Sequence, residues 1–436
     1  MKVSHGILLD VDYFIDENKY SVITLFVKTA HAVEKFFEKN YKPYFFAIVD
    51  DAKKRQIEIE KKTFGENRAL PEKVLQVKKE NEKEVLQIFF KNPQDLVAAR
   101  DEIKSLSFVQ QIREFDIPFT KRYLIDSGIE PMNGIELKHD LDGTVQEVQV
   151  VQQKEVLEKL AITSFDLETY SPDRFSNPEK DPIISISLIG DSSQAFLWKI
   201  ETTKEKAHHF ETEQEMVIAF LKELKKQNPD VIVTYNGDMF DFPYIKTRCK
   251  KLKIDFKEIM GYDIYEKRKG IDFAAKLKGV QHVDAYQIVR ILNRFGAMRL
   301  VKFDLESVSE ALFKRPKEKV YNFEINKTFE TGKDVDRLIK YNKEDSETTL
   351  EIAKNYLELF IELSKLVHAT LFDTTRSSAS QLVEDLLIEK SFQNNFLIPN
   401  KPAEGEVKAR LLQTFKGGYV KEPIAGLHEN IAVLDF

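Results

Sequence analysis

The sequence predicts a multidomain protein that combines α/β and α+β domains. Its 436 residues are enough for two to four domains with their own cores. Several β-rich runs precede a helical stretch in the first 133 residues, which is an α+β pattern. From Leu160 onward, three strand-like runs are followed by an amphipathic helix and a further strand, which is an α/β pattern.

Composition excludes several classes of protein. The 66 Lys and Arg against 72 Asp and Glu give a formal net charge of −6, which argues against a wholly basic nucleic-acid coat but leaves room for local basic grooves. A single cysteine, Cys249, argues against a disulfide framework and indicates a reducing compartment. No apolar run is long enough to span a bilayer and no signal-peptide pattern opens the chain, so we expect a cytoplasmic protein without a membrane partner.

The first predicted domain covers residues 1–133. Runs 6–13 and 20–27 are joined by a hairpin signal at 16–19, and runs 44–49 and 85–90 are further strands. Pro93 opens a helix that ends at about Lys104. Residues 134–159 are more polar and are interpreted as a connector that contains a strand at 145–151.

The second predicted domain covers residues 160–365. Strands are predicted at 161–167, 183–189, 195–200 and 231–234, with a helix at 213–226 between the last two. Three meander strands, a crossover helix and another strand indicate a ribonuclease-H-like sheet, with ligands expected at the strand ends. Residues 366–436 then form a third, largely helical region.

Asp166 and Glu168 lie two apart on the first of these strands. Their side chains therefore point to the same face, against like-charge repulsion. A divalent cation such as Mg²⁺ or Mn²⁺, which prefers oxygen ligands, would offset that repulsion. A solvated acidic strand end is the alternative interpretation.

Further candidate residues lie downstream. Asp241 follows the fourth strand near a helix start, where it is either a metal ligand or a helix cap. Tyr341 and Asp345 are four apart on one helical face, although a half-buried Tyr beside a surface Asp would show the same spacing. Four carboxylates suit two Mg²⁺ ions about 3.5–4 Å apart that clamp a scissile phosphate. Tyr341 would orient or help to deprotonate the attacking water, and Asn236 would support the substrate strand or the local turn.

Three stretches resemble the exonuclease motifs of family B DNA polymerases, and the archaeal replicative type in particular. They are FDLET at 165–169, YNGDMFDFP at 235–243 and YNKED at 341–345. Segments 115–126, 315–317, 376–378, 399–402 and 416–420 also resemble the family, so the resemblance covers nearly the whole chain.

The resemblance implies a 3′–5′ proofreading exonuclease that acts on single-stranded 3′ ends and a protein that binds primer-template DNA, with a sliding clamp as a possible partner. The implied catalytic residues are Asp166, Glu168, Asp241, Asp345 and Tyr341, with two Mg²⁺ or Mn²⁺ ions as cofactors. The implied DNA-binding residues are Asn236, Phe240, Arg376, Lys416, Gly417 and Gly418. Phe415 stands where the family usually has Tyr, and Arg376 could equally form an ion pair on a helix surface.

The first domain resembles the domain with which these polymerases sense template uracil. The residues at the pocket positions are Tyr13, Pro43, Pro93, Leu96, Phe119 and Arg122. Leu96 stands where a smaller Val is usual. Packing and a general template-contacting surface are the alternative roles of these side chains.

Residues 432–436 resemble the first half of polymerase motif A, in which Asp435 would hold a catalytic metal ion. The resemblance thus implies that region 366–436 is a helical linker followed by the incomplete start of a polymerase palm. The remainder of palm, fingers and thumb does not follow, so the resemblance leads us to expect a polymerase in two pieces with a second polypeptide as partner. A stand-alone 3′–5′ DNA exonuclease and a non-catalytic uracil-sensing module are the alternatives.

Overall fold

The computed structural model describes residues 1–152, 155–172, 175–269, 272–317, 319–413, 417–419 and 421–434. Met1–Ile398 form one unit and Pro399–Phe436 a second. The strands are β1 (Lys2–Ile15), β2 (Ser21–Lys28), β3 (Val33–Glu38), β4 (Tyr44–Val49), β5 (Lys73–Lys79), β6 (Glu82–Phe89), β7 (Val109–Arg113), β8 (Gly134–His139), β9 (Val145–Val151), β10 (Ile162–Thr169), β11 (Ile183–Ile189), β12 (Ser193–Trp198), β13 (His208–Phe210), β14 (Val231–Thr234), β15 (Ile264–Lys269), β16 (Asp272–Leu277) and β17 (Gln281–Asp284).

Helices connect and cover these strands. They are α1 (Ala52–Glu60), α2 (Pro93–Lys104), α3 (Phe119–Ser127), α4 (Glu213–Gln227), α5 (Asp241–Lys251), α6 (Phe256–Met260), α7 (Ala285–Arg294), α8 (Leu305–Phe313), α9 (Asn322–Thr331), α10 (Val335–Leu366), α11 (Leu371–Thr374), α12 (Ala379–Gln393) and α13 (Glu404–Leu411), with a 3₁₀ turn at Leu157–Lys159. In the described part of the chain, no helix is both long and apolar enough to cross a membrane.

The first sheet has the strand order β3-β2-β1-β8-β9. β1 and β2 form the expected hairpin, in which Ile15 pairs with Ser21. The segment interpreted as a connector supplies both β8 and β9, and Lys2 of β1 pairs with His139 of β8. Since alternate residues of β8, including Leu137, are buried in the core of this sheet, the strands of 134–151 pack as part of the first domain.

A second sheet, β5-β6-β4-β7, is covered by α1 and α2. The α2 helix has the predicted bounds because Asn92 caps it: its side chain accepts a 2.9 Å hydrogen bond from the backbone N–H of Asp95. β5 was not predicted, since only Val74, Leu75 and Val77 of its seven residues are apolar and its last two residues belong to the charged run 78–83.

The third sheet has the order β13-β12-β11-β10-β14-β17. β10 is antiparallel to β11 and parallel to β14, and β14 is parallel to β17, which confirms the ribonuclease-H-like α/β fold. The predicted crossover helix α4 begins at a Thr212–Glu215 capping box and buries Met216 and Phe220 against this sheet. The 32-residue helix α10 packs on β10 and β11, and this contact forms the site described next.

In the Pro399–Phe436 unit, the described residues include one helix, α13. Several large apolar side chains of this unit are exposed, namely Leu411, Leu412, Tyr419, Ile424, Leu427, Ile431, Val433 and Leu434.

Candidate active site

A strand and a helix bring three carboxylates together. Asp166 and Glu168 lie on β10, and Asp345 lies on α10. One carboxylate oxygen from each residue lies within 4.8 Å of the corresponding oxygens of the other two. The same-face relationship expected for Asp166 and Glu168 therefore places both side chains opposite the helix.

Asn342 fixes the position of this helix relative to the strand. Its Nδ2 donates a 2.7 Å hydrogen bond to Oδ2 of Asp166, and its Oδ1 accepts a 2.8 Å hydrogen bond from Oγ of Ser185 on β11. Asn342 and Ser185 are fully buried. Because a buried amide without partners is costly, these contacts select one register of α10 on the sheet.

Buried serines extend this contact. Oγ of Ser187 donates to the carbonyl oxygen of Asn342 at 2.8 Å and lies 2.6 Å from Oγ of Ser346. Oγ of Ser164 donates to the carbonyl oxygen of Ser346 at 2.7 Å. We call Ser164, Ser185, Ser187, Asn342 and Ser346 the polar seam. In the sequence, the polar seam is indicated by Ser185 and Ser187, which interrupt the otherwise apolar β11.

Lys317 enters the carboxylate cluster, which the sequence alone did not indicate. Its ammonium pairs with Oδ1 of Asp345 and lies 4.5 Å from the ring centroid of Tyr341, and its side chain is only 4% exposed. Burial lowers the pKa of Lys317, whereas the charge of Asp166 opposes that shift. Lys317 belongs to the familial segment 315–317, but its contact with Asp345 depends on tertiary structure.

The cluster is crowded with negative charge. Burial raises the pKa of Asp166 to about 6, against the opposing effects of Lys317 and Asn342. Burial and the neighbouring Asp166 raise the pKa of Glu168 well above its usual range. Hard oxygen donors held this close together are the donor set that a divalent cation stabilises.

Asp241 is the first residue of α5 and is almost fully buried. Burial and the charge of Asp166 raise the pKa of Asp241 well above its usual range, and the carboxyl group of Asp241 accepts a hydrogen bond from the backbone N–H of Leu167, between Asp166 and Glu168. It does not belong to the group of three carboxylates within 4.8 Å. Among the residues that the structure describes, none forms a hydrogen bond with its buried Oδ1. An unpaired buried oxygen next to three carboxylates fits a metal site.

A tight turn between β14 and α5 positions Asp241. Asn236 adopts a left-handed conformation with φ 65°, and its backbone N–H donates a 2.8 Å hydrogen bond to Oδ1 of Asp284. A Cβ at Gly237 would lie 2.0 Å from Oγ1 of Thr234, so only glycine fits there. Phe240 is partly buried on the core, 5.2 Å from the ring of Tyr244.

Tyr341 lies at the edge of the cluster. Burial raises the pKa of its hydroxyl well above the usual value, and the charges of Glu168 and Asp166 add to the shift. The phenol is therefore protonated at neutral pH and can donate a hydrogen bond.

Arg376 does not lie on the surface as a DNA contact would. Its guanidinium forms a bidentate ion pair with Asp238, with Nε–Oδ2 at 2.7 Å and Nη2–Oδ1 at 2.9 Å, and both side chains are 3% exposed. Nη1 donates a 3.0 Å hydrogen bond to the carbonyl oxygen of His282. Arg376 thus holds the segment after α11 against the turn that precedes Asp241, which is a structural role.

The residues at the uracil-pocket positions do not share one hydrophobic core. The rings of Tyr13 and Phe119 are in contact at 5.2 Å, and Arg122 is buried in an ion pair with Glu114. Leu96 instead packs under the second sheet. Pro93 is in the first turn of α2, and the carbonyl oxygen of Pro43 accepts a 2.9 Å hydrogen bond from Phe90.

Two predicted residues, Lys416 and Asp435, lie outside the described residues. Gly417 and Gly418 are described, and a Cβ would have open space at both positions.

The fold and the clustered carboxylates define a ribonuclease-H-like domain with an acidic site. Residues 110–308 match the model of the DNA polymerase family B exonuclease domain. Alignments of 441 positions cover 98% of the chain. Over them the chain is 38% identical to a DNA polymerase of Thermococcus kodakarensis and 37% identical to one of Thermococcus gorgonarius. It spans about a quarter (24%) of the first relative and about half (52%) of the second.

A solved structure shows the same fold. The family B DNA polymerase of Pyrobaculum calidifontis superposes with a TM-score of 0.77 over 92% of this chain and 52% of its own length, at 21% identity. That likeness concerns the fold alone. The sequence relatives and the matched domain confirm the resemblance. The chain thus resembles DNA polymerases over nearly its whole length, and its residues 110–308 match the family B exonuclease domain.

Proposed function

We propose that this chain is a metal-dependent 3′–5′ exonuclease that removes nucleotides from single-stranded DNA ends as the proofreading part of a DNA polymerase. The observation that carries the proposal is the approach of Asp166, Glu168 and Asp345 to within 4.8 Å, beside the unpaired oxygen of Asp241. Mispaired 3′ ends would be preferred because they leave the duplex at lower cost.

The four carboxylates would hold two Mg²⁺ or Mn²⁺ ions. Asp166, Glu168 and Asp345 offer one group of ligands, and Asp241 offers an oxygen beside Asp166. When bound, such ions supply Lewis acidity and lower the pKa of a water molecule.

The protein's own groups orient the reactants. Asn342 holds the carboxylate of Asp166 in one orientation through its 2.7 Å hydrogen bond. The protonated hydroxyl of Tyr341 donates a hydrogen bond to the attacking water or to a phosphate oxygen. The ammonium of Lys317 offsets negative charge at Asp345, and would do the same for the scissile phosphate.

The test is hydrolysis of a 5′-labelled single-stranded oligonucleotide with Mg²⁺ or Mn²⁺. We expect Asp166→Ala and Asp345→Ala to lower the rate by roughly 100-fold or more, with the fold retained. Tyr341→Phe should lower it less, because a metal-bound water can react without the phenol. The control is Asp142→Ala, whose carboxylate is 61% exposed. Full activity in either cluster variant would refute the site, and calorimetric titration would count the bound ions.

A second candidate activity is nucleotide incorporation. Its support is the relationship to DNA polymerases of which the chain spans about half or less. We propose that polymerisation requires the remaining part of such a polymerase, as a longer chain or a second polypeptide. Co-expression with the matching C-terminal half of a relative tests this. Failure of the two parts to associate and to extend a primer would contradict it. A sliding-clamp partner and template-uracil binding stay predictions of the resemblance.

A further inference from the structure

Two aromatic rings lie stacked on the protein surface at the start of α9. The ring centroids of Tyr321 and Phe323 are 5.9 Å apart with an interplanar angle of 17°. The residues are 53% and 68% exposed, respectively. Large exposed aromatic groups in contact with one another are typical of interaction surfaces. We call this pair the aromatic platform.

The platform is held firmly in place. Asn322, between the two aromatic residues, donates from Nδ2 to Oγ of Ser171 at 3.0 Å. Nδ2 of Asn326, one turn further along α9, donates to the carbonyl oxygen of Ser171 at 2.6 Å, and its Oδ1 accepts a 2.9 Å hydrogen bond from the Ser171 N–H. Ser171 is fully buried and follows the end of β10. The start of α9 is thereby joined to the strand that carries Asp166 and Glu168.

The platform is also close to the carboxylate cluster. Ser171 is three residues beyond Glu168, which is about 10 Å of extended chain. Tyr321 is four residues beyond Lys317, whose ammonium pairs with Asp345, so these two Cα atoms are at most about 14 Å apart. The chain from Glu168 to Ser171 and the chain from Lys317 to Tyr321 each connect the carboxylate cluster to the platform. Both are short, so the rings lie within the length of a few nucleotides of the cluster.

Positive charge accompanies the rings. Nζ of Lys319 lies 5.6 Å from the ring centroid of Tyr321. Stacking surfaces combined with cations are how proteins bind single-stranded nucleic acid without regard to sequence, because every base has a π-face and every nucleotide a phosphate.

We propose that the aromatic platform stacks against one or two unpaired bases of a DNA strand whose 3′ end occupies the carboxylate site. This inference rests on the proposed exonuclease function and adds the path of its substrate. Tyr321 and Phe323 contact the strand upstream of the scissile phosphate, so they contribute to binding and not to the chemical step.

The kinetic test uses the double variant Tyr321→Ser/Phe323→Ser and thymidylate substrates of different lengths. For a 12-nucleotide substrate we expect KM to rise roughly 10-fold or more with little change in kcat. Cleavage of a dinucleotide, which is too short to reach the platform, should be unchanged. The variant Tyr321→Phe/Phe323→Tyr, which keeps both rings, should retain the wild-type KM. Phe396→Ser, which removes a 46% exposed ring in the segment after α12, is the matched control.

A spectroscopic test reports stacking without hydrolysis. The 12-nucleotide strand carries 2-aminopurine at successive positions from its 3′ end, and Ca²⁺ replaces Mg²⁺. Wild type should quench the fluorescence at one or two positions two or more nucleotides from the end, and the serine variant should lose that quenching. An unchanged KM together with unchanged quenching, in a variant with wild-type circular dichroism, would overturn the platform. An inactive wild type would refute the exonuclease instead, and position-specific quenching that depends on the two rings would still support the platform.

Discussion

Asn342 donates a 2.7 Å hydrogen bond to Oδ2 of Asp166 and thereby connects α10 to β10 inside the candidate site. The same side chain accepts a 2.8 Å hydrogen bond from Ser185, so the amide has one orientation only. A carboxylate held by a buried amide presents its other oxygen in a fixed direction. The geometry of the cluster thus depends on a residue that is itself uncharged.

Asn342→Ala should reduce exonuclease activity about 10- to 100-fold, because loss of a group that orients a metal ligand typically has that effect. The apparent affinity for Mn²⁺ should weaken as well, and the free energy of unfolding should fall by about 1–3 kcal/mol because Ser185 loses its partner. Activity against Mn²⁺ concentration and urea unfolding measure both effects. The control is Asn355→Ala on the exposed side of the same helix. A stability loss with unchanged Mn²⁺ dependence would reduce Asn342 to a packing residue.

Lys317→Met tests whether the ammonium of Lys317 neutralises the carboxylate cluster when no metal ion is bound. The ammonium pairs with Asp345, and a divalent cation would compete with it for the same carboxylate. We expect the variant to unfold at a lower temperature in EDTA and to gain more stability from Mn²⁺ than wild type, while it cleaves DNA more slowly. Thermal unfolding with and without Mn²⁺ measures the first two effects. Lys340→Met, an exposed lysine of α10, should behave as wild type. An equal gain from Mn²⁺ in variant and wild type would contradict competition.

Gly237→Ala should disturb the turn that positions Asp241. The new Cβ would lie 2.0 Å from Oγ1 of Thr234, which is itself held 2.8 Å from Nε2 of His282. We expect the free energy of unfolding to fall by about 1–3 kcal/mol, and the exonuclease rate to fall with it. Gly405→Ala, where a Cβ would meet no atom within 4 Å, is the matched control. Wild-type stability and rate in the Gly237 variant would show that the turn can adjust.

Arg376→Ala should lower stability and leave DNA affinity unchanged at temperatures where the variant is folded. Removal of one partner of a buried ion pair costs about 3–5 kcal/mol because the remaining charge, here Asp238, is left unpaired. Lys138→Ala, which breaks an exposed pair with Glu147, should cost less than about 1 kcal/mol. Urea unfolding and fluorescence anisotropy with labelled DNA separate the two roles. Weaker DNA binding at an unchanged free energy of unfolding would show that Arg376 contacts DNA and does not stabilise the fold.

Features with a local period could be predicted from the sequence. Asp166 and Glu168 share a face because strand side chains alternate, and Tyr341 and Asp345 share a face because helical residues four apart do. The arrangement of three strands, helix and strand indicated the part of the sheet formed by β10, β11, β12 and β14, whereas β13 and β17 were not predicted. In each case, neighbouring residues were sufficient to define the geometry.

Contacts between distant segments could not be predicted in this way. Arg376 and Asp238 are 138 positions apart, and nothing in either segment indicates that they pair. The contact of Lys317 with Asp345 depends on how the segment after α8 returns to the sheet. The segment that contains β8 was interpreted as a connector from its polar composition, whereas β8 pairs with β1, whose residues are more than a hundred positions away. The spacing of residues along the chain thus predicts individual strands and helices, but not which distant segments contact one another.

The stability of the protein should depend on His282 at acidic pH. Burial lowers the pKa of His282 to about 4, and the nearby Arg376 adds to the shift. At pH 7 the imidazole is neutral in both folded and unfolded chains. In the unfolded chain His282 binds a proton below its usual pKa of about 6.5, whereas in the folded chain it does so only below about pH 4. The free energy of unfolding therefore falls as the pH falls from about 6.5 to about 4. The loss should amount to roughly 3 kcal/mol between pH 7 and pH 4.

Urea unfolding of wild type and His282→Gln across this range isolates the contribution, because every other titrating group is common to both proteins. We expect the wild-type curve to fall more steeply by this amount, whereas His5→Gln, at an exposed histidine, should run parallel to wild type. Parallel curves for wild type and His282→Gln would mean that the imidazole is protonated inside the fold. In that case Asp238 would stabilise a charged His282 together with Arg376, and the ion pair behind the Asp241 turn would contain two cations instead of one.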